Sequence, residues 1–400
     1  MNGDLAKDQN KRVFFLVMVL IFTDTLLYGA VVPLIPFYTK QFQLNSLTIG
    51  VVFAAYSLGL LVFSIPLGLI AERYGYKKVF GAGMLGLALT TMLYGAVNGP
   101  WMLLASRFTQ GVAAAASWTA GLAMVALLYP RQQGEKLGLV MAAMGLGTIL
   151  GPPAGGVLYH FLGYRGMFTL LAVFCLILSL VVLKADFGPL AGGNGNAGFS
   201  ARGATKNTGL IWLGVVVVIS SSSVGMLEIL LPNYFDRRFE LDSLQIGLLF
   251  GVMGLVHAFS DVGVGILSDR YGYAPFIYWG LITSAVCLPF LALAPGLIPA
   301  LAVMILLGIT LGAALTPSQP LMYHVVAAGR DRGQEGGAGL AYGIFNTCFS
   351  LGLLVGPALG GVLDNFFGIL AGLSFFGAVI MLTAVLFRYK VEKYLSTLST

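Results

Sequence analysis

Residues 146–158 read LGTILGPPAGGVL, and residues 351–363 read LGLLVGPALGGVL. Eight of the thirteen positions are identical, at an offset of 205 in a chain of 400 residues. A second pair, IGVVFAAYSLGLLVFSIPLGLIAERYGY at 49–76 and IGLLFGVMGLVHAFSDVGVGILSDRYGY at 246–273, matches at nine of 28 positions with an offset of 197. A repeat of half the chain, written largely in apolar residues, predicts two similar helical bundles in a membrane with a site between them. That organisation implies transport.

Composition points the same way. The chain is 58% hydrophobic and 10% charged, with a mean hydropathy of +0.89, whereas soluble domains carry roughly 25% charged residues. A helical span needs about 20 apolar residues. Twelve stretches qualify, at 13–38, 47–71, 77–98, 101–129, 134–160, 166–184, 209–232, 244–268, 274–294, 297–327, 336–366 and 368–390. Lipid offers backbone groups no hydrogen-bond partners, so these stretches must be helices. The expectation is an all-α membrane protein with six-helix bundles at 1–184 and 209–400. The stretch 185–208, ADFGPLAGGNGNAGFSARGATKNT, is rich in Gly, Asn and Ala and is expected to be a cytosolic linker.

Net charge is +6, from 22 basic and 16 acidic residues. With the N-terminus in the cytosol, 17 Lys and Arg fall on the cytosolic side. Four (Lys40, Arg165, Arg237 and Arg238) fall on the other, and Arg107 lies inside a helix. This bias predicts cytosolic termini and argues for a lipid rather than a nucleic-acid partner. The first apolar stretch is too long for a signal peptide and follows acidic residues, so it is expected to remain as a span. Cys175, Cys287 and Cys348 lie within predicted helices, far apart in sequence, and are expected to pack; no metal or cofactor is implied.

Glycine is abundant inside the predicted helices. Gly145, Gly147, Gly151, Gly155 and Gly156 give one helix a thin face, and Pro152 and Pro153 are expected to kink it. Tight packing and a bend on which the halves rock both remain open.

Ionisable residues inside apolar helices are the strongest functional signal, because a charge at the bilayer centre costs roughly 2.5–3.5 kcal/mol. Asp24, Arg107, Glu228 and Asp261 meet this test, and His257 joins them. Asp24 falls near half depth of its helix. A carboxylate there binds a proton or an organic ammonium in competition, which is the physical basis of antiport; the plainer alternative is a static ion pair with Arg107. Glu228, four residues before Pro232, is expected nearer the outer side. Tyr28, Tyr56, Tyr342, Phe345 and Trp118 are candidates to box a cation. His257 and Asp261, four apart, share a helix face and suit a proton relay; otherwise Asp261 merely serves the cytosolic helix end. Asn346 carries no proton but can hydrogen-bond a substrate.

The sequence Gly68-Leu-Ile-Ala-Glu-Arg-Tyr-Gly-Tyr-Lys-Lys78 resembles the signature cytosolic loop of the major facilitator superfamily, with Glu72 for the usual Asp and Tyr76 for a basic residue. Its second copy at Gly265–Gly272 keeps Asp269 and Arg270. Gly151-Pro-Pro-Ala-Gly-Gly156 and Arg107-Phe-Thr-Gln-Gly111 resemble motifs of its proton-driven antiporters. Within these the chain is similar to the drug:proton antiporters and the vesicular monoamine transporters: Asp24 with Pro33 and Pro36, Glu228 with Pro232, Arg107, and Tyr342 before Gly356-Pro357 match their helices. Asn346 stands where that family has an Asp, Tyr56 where it has a Lys, His257 at a Tyr, and Ile380 at a further Asp. The amine-binding end is the better matched, so the resemblance implies an exporter of bacterial type in the cell membrane, monomeric, exchanging protons for monoamines or cationic drugs by alternating access. It places substrate at Asp24, Glu228, Asn346, Tyr342, His257, Tyr56, Phe345 and Trp118, and proton coupling at Asp24, Glu228, Arg107 and Asp261. Gating is expected of Gly68, Glu72, Arg73, Gly75, Asp269 and Arg270, and of Gly151, Pro152, Gly356 and Pro357. A symporter or uniporter of a neutral metabolite or sugar is the alternative. A membrane-embedded enzyme is disfavoured, because no nucleophile elbow, phosphate loop or metal-ligand cluster is present in the sequence.

Overall fold

The computed structural model describes residues 2–129, 133–185, 187, 208–328 and 338–398. Every regular element among them is helical, as backbone hydrogen bonding in lipid requires. In chain order these are α1 (Asn2–Ala30), a 3-10 turn (Val32–Leu34), α2 (Ile35–Phe42), α3 (Ser46–Tyr74), α4 (Tyr76–Gly95), α5 (Pro100–Leu128) and α6 (Gln133–Lys184). Then follow α7 (Thr208–Phe239), α8 (Ser243–Tyr271), α9 (Tyr273–Leu293), α10 (Leu297–Leu315), α11 (Ser318–Ala328) and α12 (Ala338–Leu398).

Nine stretches among the described residues are long and apolar enough to cross a membrane, against twelve expected. α4 has the length of a span, 20 residues, but opens on Tyr76, Lys77 and Lys78. Two stretches, Leu139–Lys184 and Ile344–Lys390, run to 46 and 47 residues, about twice what a bilayer core accommodates. Each is broken at one glycine with non-helical dihedrals, Gly163 (φ 67°) in α6 and Gly368 (φ 78°) in α12. Only glycine adopts such a φ without steric cost. Helical dihedrals continue through Pro152 and Pro153, and the break at Gly163 falls in the gap expected between the spans 134–160 and 166–184. The expected span at 13–38 is interrupted by the 3-10 turn with Pro33 in its first residues. The one expected at 297–327 is divided between α10 and α11 at Thr316 and Pro317, where proline supplies no N–H.

The chain forms two compact units. The first comprises Met1–Leu44, Val51–Asn196 and Glu240–Gly251, the second Asn45–Gly50, Ala197–Phe239 and Val252–Thr400. The first turns of α3 and α8 thus group apart from the rest of their helices, a division that the boundaries read from sequence do not contain. The linker expected at 185–208 falls almost wholly outside the described residues.

Within the first unit α1 packs on α6, and α4 on α5 and α6; within the second α7 packs on α12, and α9 on α10 and α12. Glycines set the closest of these contacts. Gly147, Gly151 and Gly155 lie four apart on α6, and α1 lies against them from Phe22 to Ala30 so closely that a Cβ on any of the three would collide. Gly352 and Gly356 of α12 meet Val218, Ser221 and Ser222 of α7 in the same way, 205 residues on. On another side, Gly156 meets Ser243 and Leu244 of α8, and Gly361 meets Ser46 and Leu47 of α3. Asp364 of α12 accepts a hydrogen bond from the Ser46 hydroxyl. The internal repeat is therefore a repeat of helix-to-helix contact.

Candidate functional site

In the first unit three helices bring their polar side chains to one buried point. Asp24 of α1 is 1% exposed. Its Oδ2 accepts hydrogen bonds from the Tyr56 hydroxyl of α3 at 2.9 Å and from Trp118 Nε1 of α5 at 2.8 Å. Its Oδ1 has no hydrogen-bond partner among the described residues. Tyr28, one turn past Asp24, tilts against Tyr56 with ring centroids 4.8 Å apart. Tyr28, Tyr56 and Ala114 form a buried apolar cluster, with Leu60 and Trp118 packed on it. The carboxylate thus has an aromatic wall, two fixed donors and one free oxygen.

The close approach of α3 and α5 makes this possible. The backbone of Tyr56 lies against Gly111, and Gly59 lies against Phe108 and Val112, leaving no room for a Cβ at either glycine. Gly111 closes the Arg107-Phe-Thr-Gln-Gly segment, so one motif supplies both the charge and the helix contact.

Arg107 is fully buried. Its guanidinium lies over Phe53 at 4.2 Å, Tyr28 at 5.0 Å and Tyr94 at 5.8 Å. It donates to Gln110 Oε1 at 3.3 Å and to the Tyr28 carbonyl at 3.5 Å, and Tyr94 donates to the same Gln110 oxygen at 3.0 Å. Ring faces stabilise a desolvated cation, and a flat guanidinium stacks on them where an ammonium would not. Among the described residues Arg107 forms no ion pair with Asp24. The static pair that the sequence left open is replaced by two neighbouring charges in separate settings, joined through Tyr28.

The second unit does not repeat this site. Gly225 of α7 meets Pro357 as Gly29 of α1 meets Pro152, and Ser221 faces Gly352 as Thr25 faces Gly147. The counterpart of Asp24 is therefore Ser220, whose buried hydroxyl has no hydrogen-bond partner among the described residues. Glu228, half-buried, lies eight residues further along α7, about 12 Å along the helix axis. The two carboxylates are not symmetry mates. Asn346 is exposed, and Phe345 is buried with its ring 6.1 Å from that of Phe349. The side chains of Tyr342 and Glu72 lie outside the described residues. His257 and Asp261 are brought together on α8, with Nε2 3.5 Å from Oδ2.

The gating candidates occupy repeated turns. Gly75 (φ 101°) joins α3 to α4, and Gly272 (φ 91°) joins α8 to α9, 197 residues on. Arg73 lies over the Tyr74 ring and Arg270 over the Tyr271 ring, while Asp269 accepts the Tyr273 hydroxyl at 2.9 Å. Gly68 meets the Thr119 side chain.

Sequence reading did not assign roles to Phe53, Tyr94, Gln110 and Thr316. The three-residue spacing of Arg107 and Gln110 was the available signal for one of them; the rest come from distant segments and left none.

Apolar helices packed through glycine, with charges buried inside them, define a polytopic membrane transporter. The chain belongs to the Major Facilitator Superfamily, whose model matches residues 17–338. It is a transporter rather than an enzyme. It is 30% identical over 352 residues to the human MFS-type transporter SLC18B1, covering 82% of this chain and 75% of that one. It is 24% identical over 357 residues to the human synaptic vesicular amine transporter, covering 88% of this chain and 68% of the relative. Its fold is similar to that of a bacterial homologue of the human lysosomal transporter Spinster, with a TM-score of 0.82 at 14% identity over 96% of this chain and 97% of the other.

Proposed function

We propose that the protein is a proton-coupled antiporter that exports organic cations, monoamines and cationic drugs among them, by alternating access. The observation that carries this reading is the Asp24 carboxylate, buried with one oxygen held by Tyr56 and Trp118 and the other without a partner among the described residues. A buried carboxylate with an unsatisfied oxygen is costly. A proton or an ammonium N–H relieves that cost, and the two exclude one another. One proton entering from outside neutralises Asp24 and expels the amine; a new amine from the cytosol displaces the proton. Tyr28, Tyr56 and Trp118 supply ring faces for the body of the cation. Arg107, caged by rings, keeps a fixed positive charge beside the site, which favours release once Asp24 is protonated. Glu228 provides a second carboxylate on α7. Similarity to the synaptic vesicular amine transporter supports an amine as cargo.

On this reading the Gly151-Pro152 and Gly356-Pro357 segments and the turns at Gly68, Glu72, Arg73 and Gly75 and at Asp269 and Arg270 act as gates. The 17-to-4 charge distribution supports a cell membrane location with cytosolic termini.

The test is uptake of an organic cation, tetraphenylphosphonium, into proteoliposomes with an acidic lumen. Accumulation is expected, with reversal when the gradient is reversed and loss in the Asp24→Asn/Glu228→Gln protein. Uptake that ignores the proton gradient in either direction would replace this reading with uniport.

A further inference from the structure

A second titratable constellation lies in the second unit, where α8 faces α10. His257 Nδ1 is 2.7 Å from the Gly308 carbonyl oxygen. A carbonyl only accepts, so Nδ1 carries a proton in every state that keeps this contact. Nε2 then faces Asp261 Oδ2 at 3.5 Å, while Asp261 Oδ1 accepts from Thr316 Oγ1 at 2.6 Å. With Nδ1 committed as a donor, Nε2 of a neutral ring is a lone pair 3.5 Å from a carboxylate oxygen. Two acceptors facing each other repel. One proton, on Nε2 or on Oδ2, turns the repulsion into a bond.

The fold does not require these residues. Each position has a counterpart 197 residues earlier: Leu60 for His257, Ser64 for Asp261, Thr119 for Thr316. The equivalence holds in the contacts. Gly111 meets the Tyr56 backbone as Gly308 meets Met253, and Gly83 meets Ala113 and Ser117 as Gly280 meets Thr310 and Ala314. Thr119 Oγ1 donates to the Ser64 carbonyl at 3.5 Å, where Thr316 donates to the Asp261 carboxylate. Leucine and serine thus suffice to pack this place in one unit. The other unit fills it with an imidazole and a carboxylate, and makes room for them with Gly312 where the first has Ala115. A Cβ at Gly312 would lie 2.5 Å from Asp261 Oδ1 and 3.2 Å from His257 Nδ1.

The surroundings leave the pair to itself. α10 carries no ionisable residue. Asp269 and Arg270 lie eight and nine residues past Asp261 on α8, about 12 Å along the axis. The Tyr273 hydroxyl of α9 donates to Asp269, and its ring stacks on His324 of α11. The His257 and Asp261 side chains are 32% and 34% exposed, so the pair is open on one side.

We propose that His257 and Asp261, steadied by Gly308 and Thr316, form a proton-binding site separate from Asp24. A proton from water adds to the Nε2 lone pair or to Oδ2, taking the pair from a charge of −1 to 0, and leaves by the same route. The role of this site in coupling rests on the proposed exchange of protons for organic cations; its existence does not.

The chain has three histidines, His160, His257 and His324, so ring-¹⁵N-histidine NMR of the purified full chain, with His257→Gln for assignment, reads the site directly. The expected result is that Nδ1 of His257 carries the proton in the neutral ring, and that Asp261→Asn changes the Nε2 signal of His257 at fixed pH, as loss of a charged neighbour 3.5 Å away requires. An Nε2 signal that Asp261→Asn leaves unchanged, or a neutral ring with Nδ1 deprotonated, would overturn the proposal. The double substitution His257→Leu/Asp261→Ser installs the residues that already pack the equivalent place, which guards against misfolding. It is expected to lower acid-driven tetraphenylphosphonium accumulation in proteoliposomes at least tenfold; accumulation equal to that of the unmodified protein would overturn the coupling role. If the unmodified protein moves no organic cation, the proposed function fails, and the NMR result still decides the site.

Discussion

Replacing Asp24 by Asn tests the candidate site with little change of shape. Tyr56 and Trp118 both donate to Oδ2. An asparagine must therefore turn its carbonyl oxygen toward them, because its NH2 group would confront two donors. The amide nitrogen then occupies the position of Oδ1, the oxygen without a partner among the described residues. A group that would have accepted an ammonium hydrogen now presents two hydrogens of its own. Truncating one side of a buried, hydrogen-bonded charge pair costs about 2–5 kcal/mol, and each 1.4 kcal/mol is tenfold in affinity. Organic-cation affinity is therefore expected to fall by roughly thirty-fold to several thousand-fold. The substitution also removes a buried charge, so the cation-free protein should melt no lower than the original. Equilibrium binding of phenethylammonium, a primary ammonium with three N–H donors, to purified protein, alongside thermal melting in the same detergent, measures both. Affinity within threefold of the original, in a protein that melts normally, would refute the assignment of Oδ1 as the cation acceptor.

Gly155→Val should destabilise the first unit by about 1–3 kcal/mol, read as a lowered melting temperature, because the Ala30 backbone leaves no space for a Cβ; Gly145→Ala, with nothing within 4 Å of its Cβ position, should leave melting unchanged. Arg107→Lys should lower the melting temperature and weaken cation transport, because an ammonium cannot both stack on Phe53 and span Gln110 and the Tyr28 carbonyl; normal melting would show that the ring cage is not stabilising. Gly75→Ala and Gly272→Ala each force a side chain into a φ near 100° or 90° with extended ψ and should cost about 1–3 kcal/mol apiece, measured by thermal melting against the unmodified protein.

Much of the fold was legible because its cause is local. Lipid forces every span to be helical, and the spans announce themselves as apolar runs. The glycine and proline spacing of 146–158 and 351–363 likewise foretold close helix packing, since only residues without side chains admit a neighbouring backbone. The exact ends of the rods were harder to read. The break near Gly163 was expected between the spans 134–160 and 166–184, but that a single glycine with a φ of 67° makes it was not.

The site divides in the same way. Asp24, Arg107, His257 and Asp261 stood out because a charge is conspicuous in an apolar helix, and the four-residue spacing of His257 and Asp261 fixed their shared face. Sequence alone determined which charges lie within apolar helices and that the halves carry different ones. It could not say what each charge meets. Trp118 lies 94 positions from Asp24, and Thr316 lies 55 from Asp261; such pairs form only when separate helices pack. Tertiary structure alone decided that Arg107 answers to aromatic rings rather than to Asp24, that Ser220 and not Glu228 is the counterpart of Asp24, and that His257 keeps its Nδ1 proton on Gly308. The physical reason is that hydrophobic periodicity specifies which residues leave water, whereas hydrogen-bond partners are chosen by the few ångströms that glycine packing sets between helices.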